Sequence, residues 1–149
     1  MNLDLLIKDA LRENRVVGWT GQIFYGNFFY LNDKLVAKEE KDRWRAANEE
    51  LVGRMLYASG ISVPQMHEVV KFTDLKMYYV VMERLNATAI CNLPHDKKME
   101  GRFKQQYELE RAKKLGFIPP ADAAYDVNAM MNASGKLWLI DFAHWRIPT

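Results

Sequence analysis

Apolar positions in the first part of the chain follow a helical spacing and then a strand spacing. Residues 3–13 carry leucine, isoleucine and alanine at intervals of three and four, which predicts a short amphipathic helix. Residues 16–38 are short aromatic and β-branched runs interrupted by Gly18, Gly21 and Gly26. This texture is typical of antiparallel strands joined by tight turns, so we expect two or three strands here.

The next apolar pattern, over Glu39–Ser59, has the period of an α-helix with charged residues on the opposite side. Gly60 is expected to end this helix. Its predicted inward side consists of Trp44, Ala47, Leu51, Met55 and either Tyr57 or Ala58. Two further strands are predicted at His67–Phe72 and Met77–Met82, separated by a polar turn.

A third helix is predicted over Lys97–Leu115, after a connector at Leu85–Pro94. Its side chains are largely charged, which leaves a thin apolar stripe to face the core. That stripe consists of Phe103, Tyr107 and Leu115. The order of strands, helix, strands, helix and a final strand pair predicts an α+β fold with segregated sheet and helices. The 149 residues suit a single domain with a real core.

Two short apolar runs near the end of the sequence flank a polar turn at Gly135, which predicts a β-hairpin. Asn128 lies just before the first run, and Asp141 lies just after the second. If the hairpin closes, these two side chains lie next to each other at its open end. An amide oxygen and a carboxylate oxygen are ligands for a hard cation, so we expect the chemistry of the protein at this place.

Composition and charge exclude several classes of protein. The net charge of +2 gives no case for a nucleic-acid partner. Cys91 is the only cysteine, which rules out an internal disulfide and fits a reducing compartment. No apolar run approaches the roughly 20 residues that a membrane span needs. We therefore expect a cytoplasmic protein that binds neither nucleic acid nor membrane.

A lysine and a pair of glutamates give the sequence a second candidate site. Lys38 ends an apolar strand, so its ammonium is expected to point at an anionic group. Glu49 and Glu50 follow eleven and twelve residues later, in the predicted helix. Kinases pair a strand lysine with a helix glutamate to hold nucleotide phosphates, and they hold magnesium with an asparagine and an aspartate. Asn128 and Asp141 are such a pair.

With these residues the chain resembles the protein-kinase-like superfamily, and it looks closest to the small, divergent branch of aminoglycoside-phosphotransferase and lipopolysaccharide-kinase type. The matching segments, in the order of the family, are Val36–Lys38, Glu49–Pro64, Tyr79–Leu85 and Asn128–Phe142. The resemblance implies an antiparallel β-sheet N-lobe with one main helix and a hinge, at about residues 14–85. It also implies a truncated helical C-lobe that ends in the β-hairpin, at residues 86–149.

The resemblance further implies that ATP is bound through Lys38, which would contact the α- and β-phosphates. Glu49 would brace this lysine. It is preferred to Glu50 because Val52 and Leu56 then fall three and seven residues later, on the inward face of the helix.

Magnesium and the adenine ring have implied positions as well. Asp141 would chelate Mg²⁺, and Asn128 would take the role of the catalytic-loop asparagine. Met82 would line the back of the adenine pocket, and the hinge would run from Glu83 to Leu85.

The sequence departs from the family pattern at three places. The glycines within residues 18–26 do not have the spacing of the phosphate-binding loop. The catalytic base should lie five residues before the asparagine, where the sequence has Ala123; Asp122 and Asp126 are the nearest candidates. Only eight residues follow Asp141, so we expect a nucleotide-binding core in which the helices that seat the substrate in this family are missing or are supplied by another chain.

We therefore expect a minimal kinase-like protein that binds Mg-ATP. If it is active, it transfers the γ-phosphoryl group to a hydroxyl of a protein or small molecule, with Asp122 or Asp126 as the base. The alternative is a pseudokinase-type interaction or regulatory module without catalysis, and a third reading is a small binding protein with an accidental resemblance. A protein partner or a second copy would cover apolar surface that a truncated C-lobe leaves exposed.

Overall fold

The computed structural model describes residues 2–17 and 28–149. These residues form three α-helices and two antiparallel sheets, so the predicted α+β class is confirmed. The elements are α1 (Leu3–Arg12), β1 (Phe28–Tyr30), β2 (Leu35–Glu40), α2 (Arg43–Ala58), β3 (Met66–Phe72), β4 (Met77–Glu83), β5 (Thr88–Ala89), α3 (His95–Lys114), β6 (Ala129–Met131) and β7 (Leu137–Leu139). Short 3₁₀ turns occupy Ile90–Asn92, Ala121–Ala124 and Asp126–Asn128. The predicted glycine turns at Gly18, Gly21 and Gly26 lie outside the described residues.

The first sheet has the strand order β1-β2-β4-β3, and all its neighbours are antiparallel. Side chains on β2 alternate between its two faces, as the two-residue period of a strand requires. Leu35 and Ala37 pack with Ile7 and Ala10 of α1 on the outer face. The inner face carries Lys38, which is thereby directed toward α2 and the end of the chain.

Helix α2 begins at Arg43, four residues later than predicted, and the predicted start at Glu39 is wrong. The cause is Asp42, whose carboxylate accepts hydrogen bonds from the amides of Trp44 (2.8 Å) and Arg45 (3.3 Å) and so caps the helix. The two preceding glutamates stay in β2 as a result. The helix ends as predicted, before Gly60, which adopts a positive φ of 81°.

The inward side of α2 is not the one that the hydrophobic pattern predicted, and of that series only Met55 packs against the core, partly buried. It is the side on which the preference for Glu49 placed Val52 and Leu56. Trp44 is 79% exposed and Leu51 is 46% exposed. The buried residues of the helix are Ala46, Glu49, Val52, Gly53 and Leu56. A Cβ on Gly53 would lie 2.5 Å from Cε of Met66 in β3, so the Met66 side chain packs directly on the helix backbone at Gly53.

The second sheet has the order β5-β6-β7, and β6 and β7 form the predicted hairpin. Gly135 adopts the positive φ of 87° that its turn needs. Oδ1 of Asn132 accepts hydrogen bonds from the amides of Ser134 and Lys136 and closes the turn. At the open end, the amide of Ile140 donates to the carbonyl of Asn128 at 3.1 Å.

Helix α3 packs with small and polar residues rather than with its apolar stripe. Its buried residues are Gly101, Gln105, Glu108, Leu109 and Ala112. The predicted stripe is wrong, because Phe103 is 78% exposed and Tyr107 is 62% exposed, with Leu115 exposed as well. The polar residues take the inward positions because they satisfy backbone groups; Nε2 of Gln105, for example, donates to the carbonyl of Ala123 at 2.9 Å.

One apolar core joins the first sheet, α2, α3 and the hairpin. Its members include Val36 and Met82 of the first sheet, Leu56 of α2, Leu109 of α3 and Leu139 of β7. Both sheets are thus held by the same buried cluster, and the groups between them have a fixed relative placement. Among the described residues, no helix is both long and apolar enough to cross a membrane.

Two leucines of α2 test which side of this helix faces the core. Leu56 has no exposed surface, whereas Leu51 is 46% exposed. We expect Leu56→Ala to lower the free energy of unfolding by about 2–5 kcal/mol, because it leaves a cavity. Leu51→Ala should lower it by less than about 1 kcal/mol. Urea denaturation of both variants makes the comparison, and equal losses would contradict the orientation of α2.

Candidate functional site

The centre of the candidate site is the Lys38 ammonium, which lies between two carboxylates. Its Nζ is 2.9 Å from Oδ1 of Asp141 and 3.4 Å from Oε1 of Glu49. The side chains of Lys38 and Glu49 are 4% and 2% exposed, whereas that of Asp141 is 23% exposed. The three groups come from β2, α2 and the segment after β7, so the fold brings distant parts of the chain to one point.

Burial and mutual attraction act against each other in this cluster. Burial on its own would lower the pKa of Lys38, but the nearby charges of Glu49 and Asp141 outweigh it, and the pKa is raised. Burial raises the pKa of Glu49 to about 7, and the neighbouring Asp141 charge adds to this effect, while Lys38 opposes it. Lys38 therefore stays protonated at neutral pH, with two carboxylates competing for its one positive charge.

Asp141 is held in an unusual backbone conformation. Its φ is 68°, in the left-handed region that residues other than glycine adopt at a cost. The amide of the next residue, Phe142, donates to Oε2 of Glu49 at 2.5 Å. Glu49 therefore contacts both the lysine and the backbone beside Asp141, and it links the two other members of the cluster.

Asn48, which the sequence analysis did not single out, holds the same segment from the neighbouring position on α2. Its Nδ2 lies 3.3, 2.9 and 2.8 Å from the carbonyl oxygens of Phe142, Ala143 and Trp145. An asparagine in a helix is usually read as a solvated residue, and its distant carbonyl partners leave no local pattern in the sequence. Only the folded chain identifies it.

Asn128 is buried at the open end of the hairpin, close to one of the two aspartates considered as a base. Its Nδ2 donates to the backbone carbonyl of Asp122 at 2.7 Å. The backbone carbonyl of Asn128 accepts a hydrogen bond from the backbone amide of Ile140, the residue before Asp141. The hairpin thus brings the Asn128 and Asp141 positions together, and the amide of Asn128 ties the Asp122 backbone to them.

Asp126 is engaged elsewhere. Its carboxylate forms a bidentate ion pair with Arg102 of α3, in which Nε and Nη2 of the arginine lie 2.9 and 2.7 Å from the two carboxylate oxygens. Hydrogen bonding to this guanidinium lowers the pKa of Asp126. A carboxylate whose two oxygens are both held by an arginine is a poor proton acceptor, so the geometry separates the two aspartates.

A small cleft lies between the first sheet and the hairpin, at the predicted hinge. Met82, Glu83 and Leu85 all line it, with a cavity volume of about 60 Å³. This is well below the roughly 300 Å³ of ordinary ligand pockets. The guanidinium of Arg84 lies 4.1 Å from the ring centre of Tyr30, and both residues also line the cleft.

The backbone of the hinge is only partly available for a ligand. The amide of Glu83 donates to the carbonyl of Gln65, and that of Arg84 donates to the carbonyl of Lys34, each at 2.8 Å. Within the described part of the chain, the amide of Leu85 makes no such bond. Leu85 is thus the hinge residue whose amide can donate to a bound molecule.

The protein side chains suit a cation that arrives with further ligands. Residues 2–17 and 28–149 contain no group of three or more His, Cys, Asp or Glu arranged to hold a metal ion. Asp141 and Asn128 offer two oxygen ligands, since the Nδ2 end of the asparagine is used by Asp122. Mg²⁺ is commonly held by one or two protein carboxylates together with substrate phosphates and waters, and this donor set fits that pattern.

Comparison with solved structures shows what the fold is similar to. A structure of WbdD with the kinase inhibitor LY294002 matches with a TM-score of 0.63 and 16% sequence identity over 89% of this chain. A second WbdD structure matches with a TM-score of 0.64 and 17% identity over 90% of it. The chain spans about a third of the length of these WbdD chains, 33% in both cases. The shared fold is consistent with a kinase-like fold.

Comparisons of sequence identified no related family or protein. No protein-family model matches the chain, and a search of curated proteins gave no match.

The raised pKa of Glu49 makes stability depend on pH. The folded protein keeps a proton on this group that the unfolded chain releases between the ordinary pKa of 4.5 and about 7. The contribution of Glu49 to stability is therefore complete below pH 4.5 and is lost as the pH rises to about 7. We expect the free energy of unfolding, measured against that of Glu49→Gln, to fall by roughly 1–3 kcal/mol over this range. A difference that is constant or rises with pH would contradict this electrostatic picture.

Proposed function

We propose that this chain is a minimal kinase-like protein that binds Mg-ATP at the cluster of Lys38, Glu49 and Asp141. The observation that carries the proposal is the buried lysine shared by two carboxylates from separate elements. When Glu49 is ionised, two carboxylates and one ammonium leave the cluster with an excess of negative charge, which is costly to bury and which keeps the pKa of Glu49 raised. A cation at Asp141 would balance this excess and release Lys38 to contact phosphate oxygens.

The residues of the site divide the work of holding the nucleotide. Lys38 donates hydrogen bonds to the phosphates, and Glu49 keeps the lysine on the inner face of the sheet. Asp141 and Asn128 hold Mg²⁺ through their oxygen atoms. When bound, Mg²⁺ neutralises charge on the phosphate oxygens. The site would lie between an N-lobe of about residues 14–85 and a truncated C-lobe of residues 86–149.

The adenine ring occupies the cleft in front of Met82 in this proposal. The amide of Leu85 donates to the ring, and Glu83 lies on the same hinge. Because the cavity has only about 60 Å³, the ring enters by displacing the Tyr30 and Arg84 side chains that line it. These side chains then cover the ring, since both a phenol ring and a guanidinium stack on planar groups.

The base for phosphoryl transfer is assigned to Asp122 rather than Asp126. Asn128 ties the backbone of Asp122 to the candidate magnesium site, whereas Arg102 holds both carboxylate oxygens of Asp126. Asp122 accepts the proton of the attacking hydroxyl as that oxygen attacks the γ-phosphorus and ADP departs. The acceptor is a hydroxyl of a protein or small molecule.

The similarity to WbdD supports the proposal at the level of the fold. One of the matching WbdD structures contains a kinase inhibitor, so a protein with this fold binds a molecule of the class that targets kinases. Binding of this inhibitor is a property of WbdD, and that this chain binds a similar molecule is part of the proposal.

A second candidate function is a pseudokinase-type interaction module without catalysis. The observation that favours it is the row of apolar side chains exposed on α3, namely Met99, Phe103 and Tyr107. Exposed apolar patches of this kind are typical of surfaces that bind another protein or a second copy of the chain. The two candidates share the fold and differ in whether a phosphoryl group is transferred.

The binding proposal predicts a thermal shift that depends on both ATP and magnesium. At about 100 times the dissociation constant, ATP with Mg²⁺ should stabilise the protein by about 2.7 kcal/mol. For a chain of this length that is a rise in melting temperature of roughly 5–10 °C. ATP without Mg²⁺ should give a smaller rise.

Variants of the cluster sharpen this test. Lys38→Ala and Asp141→Ala should each abolish most of the ATP-induced shift, whereas Lys113→Ala, on the surface of α3, should leave it unchanged. The shift on adding ligand is compared, because the first two variants also change the starting stability. Absence of any shift in the unaltered protein, or equal shifts in all the variants, would overturn the proposal.

The assignment of the base predicts different effects for the two aspartates. Asp122→Asn should slow transfer from ATP by about 10²–10⁴-fold, the usual effect of a general base, without changing ATP affinity. Asp126→Asn should change the rate only a few-fold. Release of phosphate from ATP, with water as acceptor, measures both. Equal, measurable rates for Asp122→Asn and the unaltered protein would contradict the assignment, whereas no phosphate release by the unaltered protein would favour the interaction module.

A further inference from the structure

Two consecutive residues of α2 hold the backbone that follows Asp141. Oε2 of Glu49 accepts a hydrogen bond from the backbone amide of Phe142 at 2.5 Å. Asn48 directs its Nδ2 at the carbonyls of Phe142, Ala143 and Trp145, the shortest contact being 2.8 Å. Glu49 therefore supplies an acceptor, and the preceding residue, Asn48, supplies a donor, for a single irregular segment of chain.

The segment that they hold satisfies only some of these groups by itself: the amide of Trp145 donates to the carbonyl of Phe142 at 3.1 Å, whereas Asn48 also reaches the carbonyls of Ala143 and Trp145. Phe142, Ala143 and Trp145 are all buried, at 0%, 8% and 2% exposure. Phe142 is packed edge-on against Trp145 with ring centres 5.8 Å apart, so the turn is compact. Buried carbonyls without a donor would destabilise it, and the Asn48 amide is the side-chain donor that reaches all three.

The conformation of Asp141 depends on this segment. Its φ of 68° is unfavourable for an aspartate and persists only where the surroundings determine the backbone. The carboxylate would otherwise be free to rotate away from Lys38 and from the open end of the hairpin. Holding the residues that follow it is therefore a way of aiming the Asp141 side chain.

We propose that Asn48 is a positioning residue for Asp141, which aims this carboxylate at the cation and couples its placement to that of α2. The proposal rests on the proposed function of the cluster as a Mg-ATP site. Because Glu49 and Asn48 are adjacent, a movement of α2 away from the hairpin releases the lysine brace and the cation ligand together. With both contacts formed, the site is assembled before the nucleotide arrives.

The test separates the magnesium-dependent part of ATP binding from the rest. ATP affinity is measured by calorimetry with and without Mg²⁺ for the unaltered protein and for Asn48→Ala. We expect Asn48→Ala to lose about 10- to 100-fold of the affinity gained from Mg²⁺, the usual effect of removing a group that orients a metal ligand. Its affinity for ATP without Mg²⁺ should stay the same. A general loss of folding would reduce both affinities.

Asn132→Ala is the matched control. Asn132 also bonds the backbone through its side chain, by accepting hydrogen bonds from the amides of Ser134 and Lys136, but at the closed end of the hairpin, away from the cluster. It should keep the full gain from Mg²⁺. If Asn48→Ala keeps the gain as well, the positioning role is overturned while the proposed function stands. If the unaltered protein binds no ATP, the proposed function fails.

A second measurement needs no nucleotide. Amide hydrogen exchange of Phe142 reports directly on the bond to Glu49, and we expect it to be at least tenfold faster in Asn48→Ala, with the amide of Leu139 unchanged. Unchanged exchange at Phe142 would overturn the proposal. If Asn48→Ala does not fold, Asn48→Ser serves both measurements, since its hydroxyl keeps one donor, and it should show a smaller change in the same direction.

Discussion

The shared burial of Lys38, Glu49 and Asp141 is the constraint on which the rest of the structure depends. Burying the Lys38 and Glu49 charges beside the half-buried Asp141 is expensive, and an ammonium with two ionised carboxylates does not balance. The fold holds the three groups together although each comes from a different element. β2 directs the lysine inward, α2 brings the glutamate, and the closed hairpin delivers the aspartate. A change in any of these elements would leave a buried charge without its partner.

The same constraint explains why the helices face the core with polar and small residues. Glu49 pairs with Lys38 where α2 packs on the sheet, and one turn further along α2 the Met66 side chain of β3 packs on Gly53. α3 turns Gln105 and Glu108 inward, where they bond the backbones of irregular segments. Several large apolar residues of both helices lie on the surface instead, and the row on α3 is the apolar patch on which the second candidate function is based.

Strands, helices and the hairpin could be predicted because their signals are local. The two-residue period of β2 placed Lys38, and Gly135 placed the final turn. The side of a helix that faces inward could not be predicted from the helix sequence alone. On α2, the series from Trp44 to Met55 and the series from Ala46 to Leu56 have the same helical period, and only the sheet decides between them. The ion pair between Arg102 and Asp126, 24 residues apart, and the carbonyl partners of Asn48 arise from the fold in the same way.

A crystal structure with a non-hydrolysable ATP analogue and Mg²⁺ would show whether the Lys38 cluster is a nucleotide site. We expect Lys38 to exchange its contact with Asp141 for the phosphates and to keep Glu49, while Asp141 and Asn128 contact the cation. The adenine ring should lie at Met82 and Leu85. A nucleotide bound elsewhere, or a Lys38–Asp141 contact that persists with the cleft empty at saturating ligand, would contradict it.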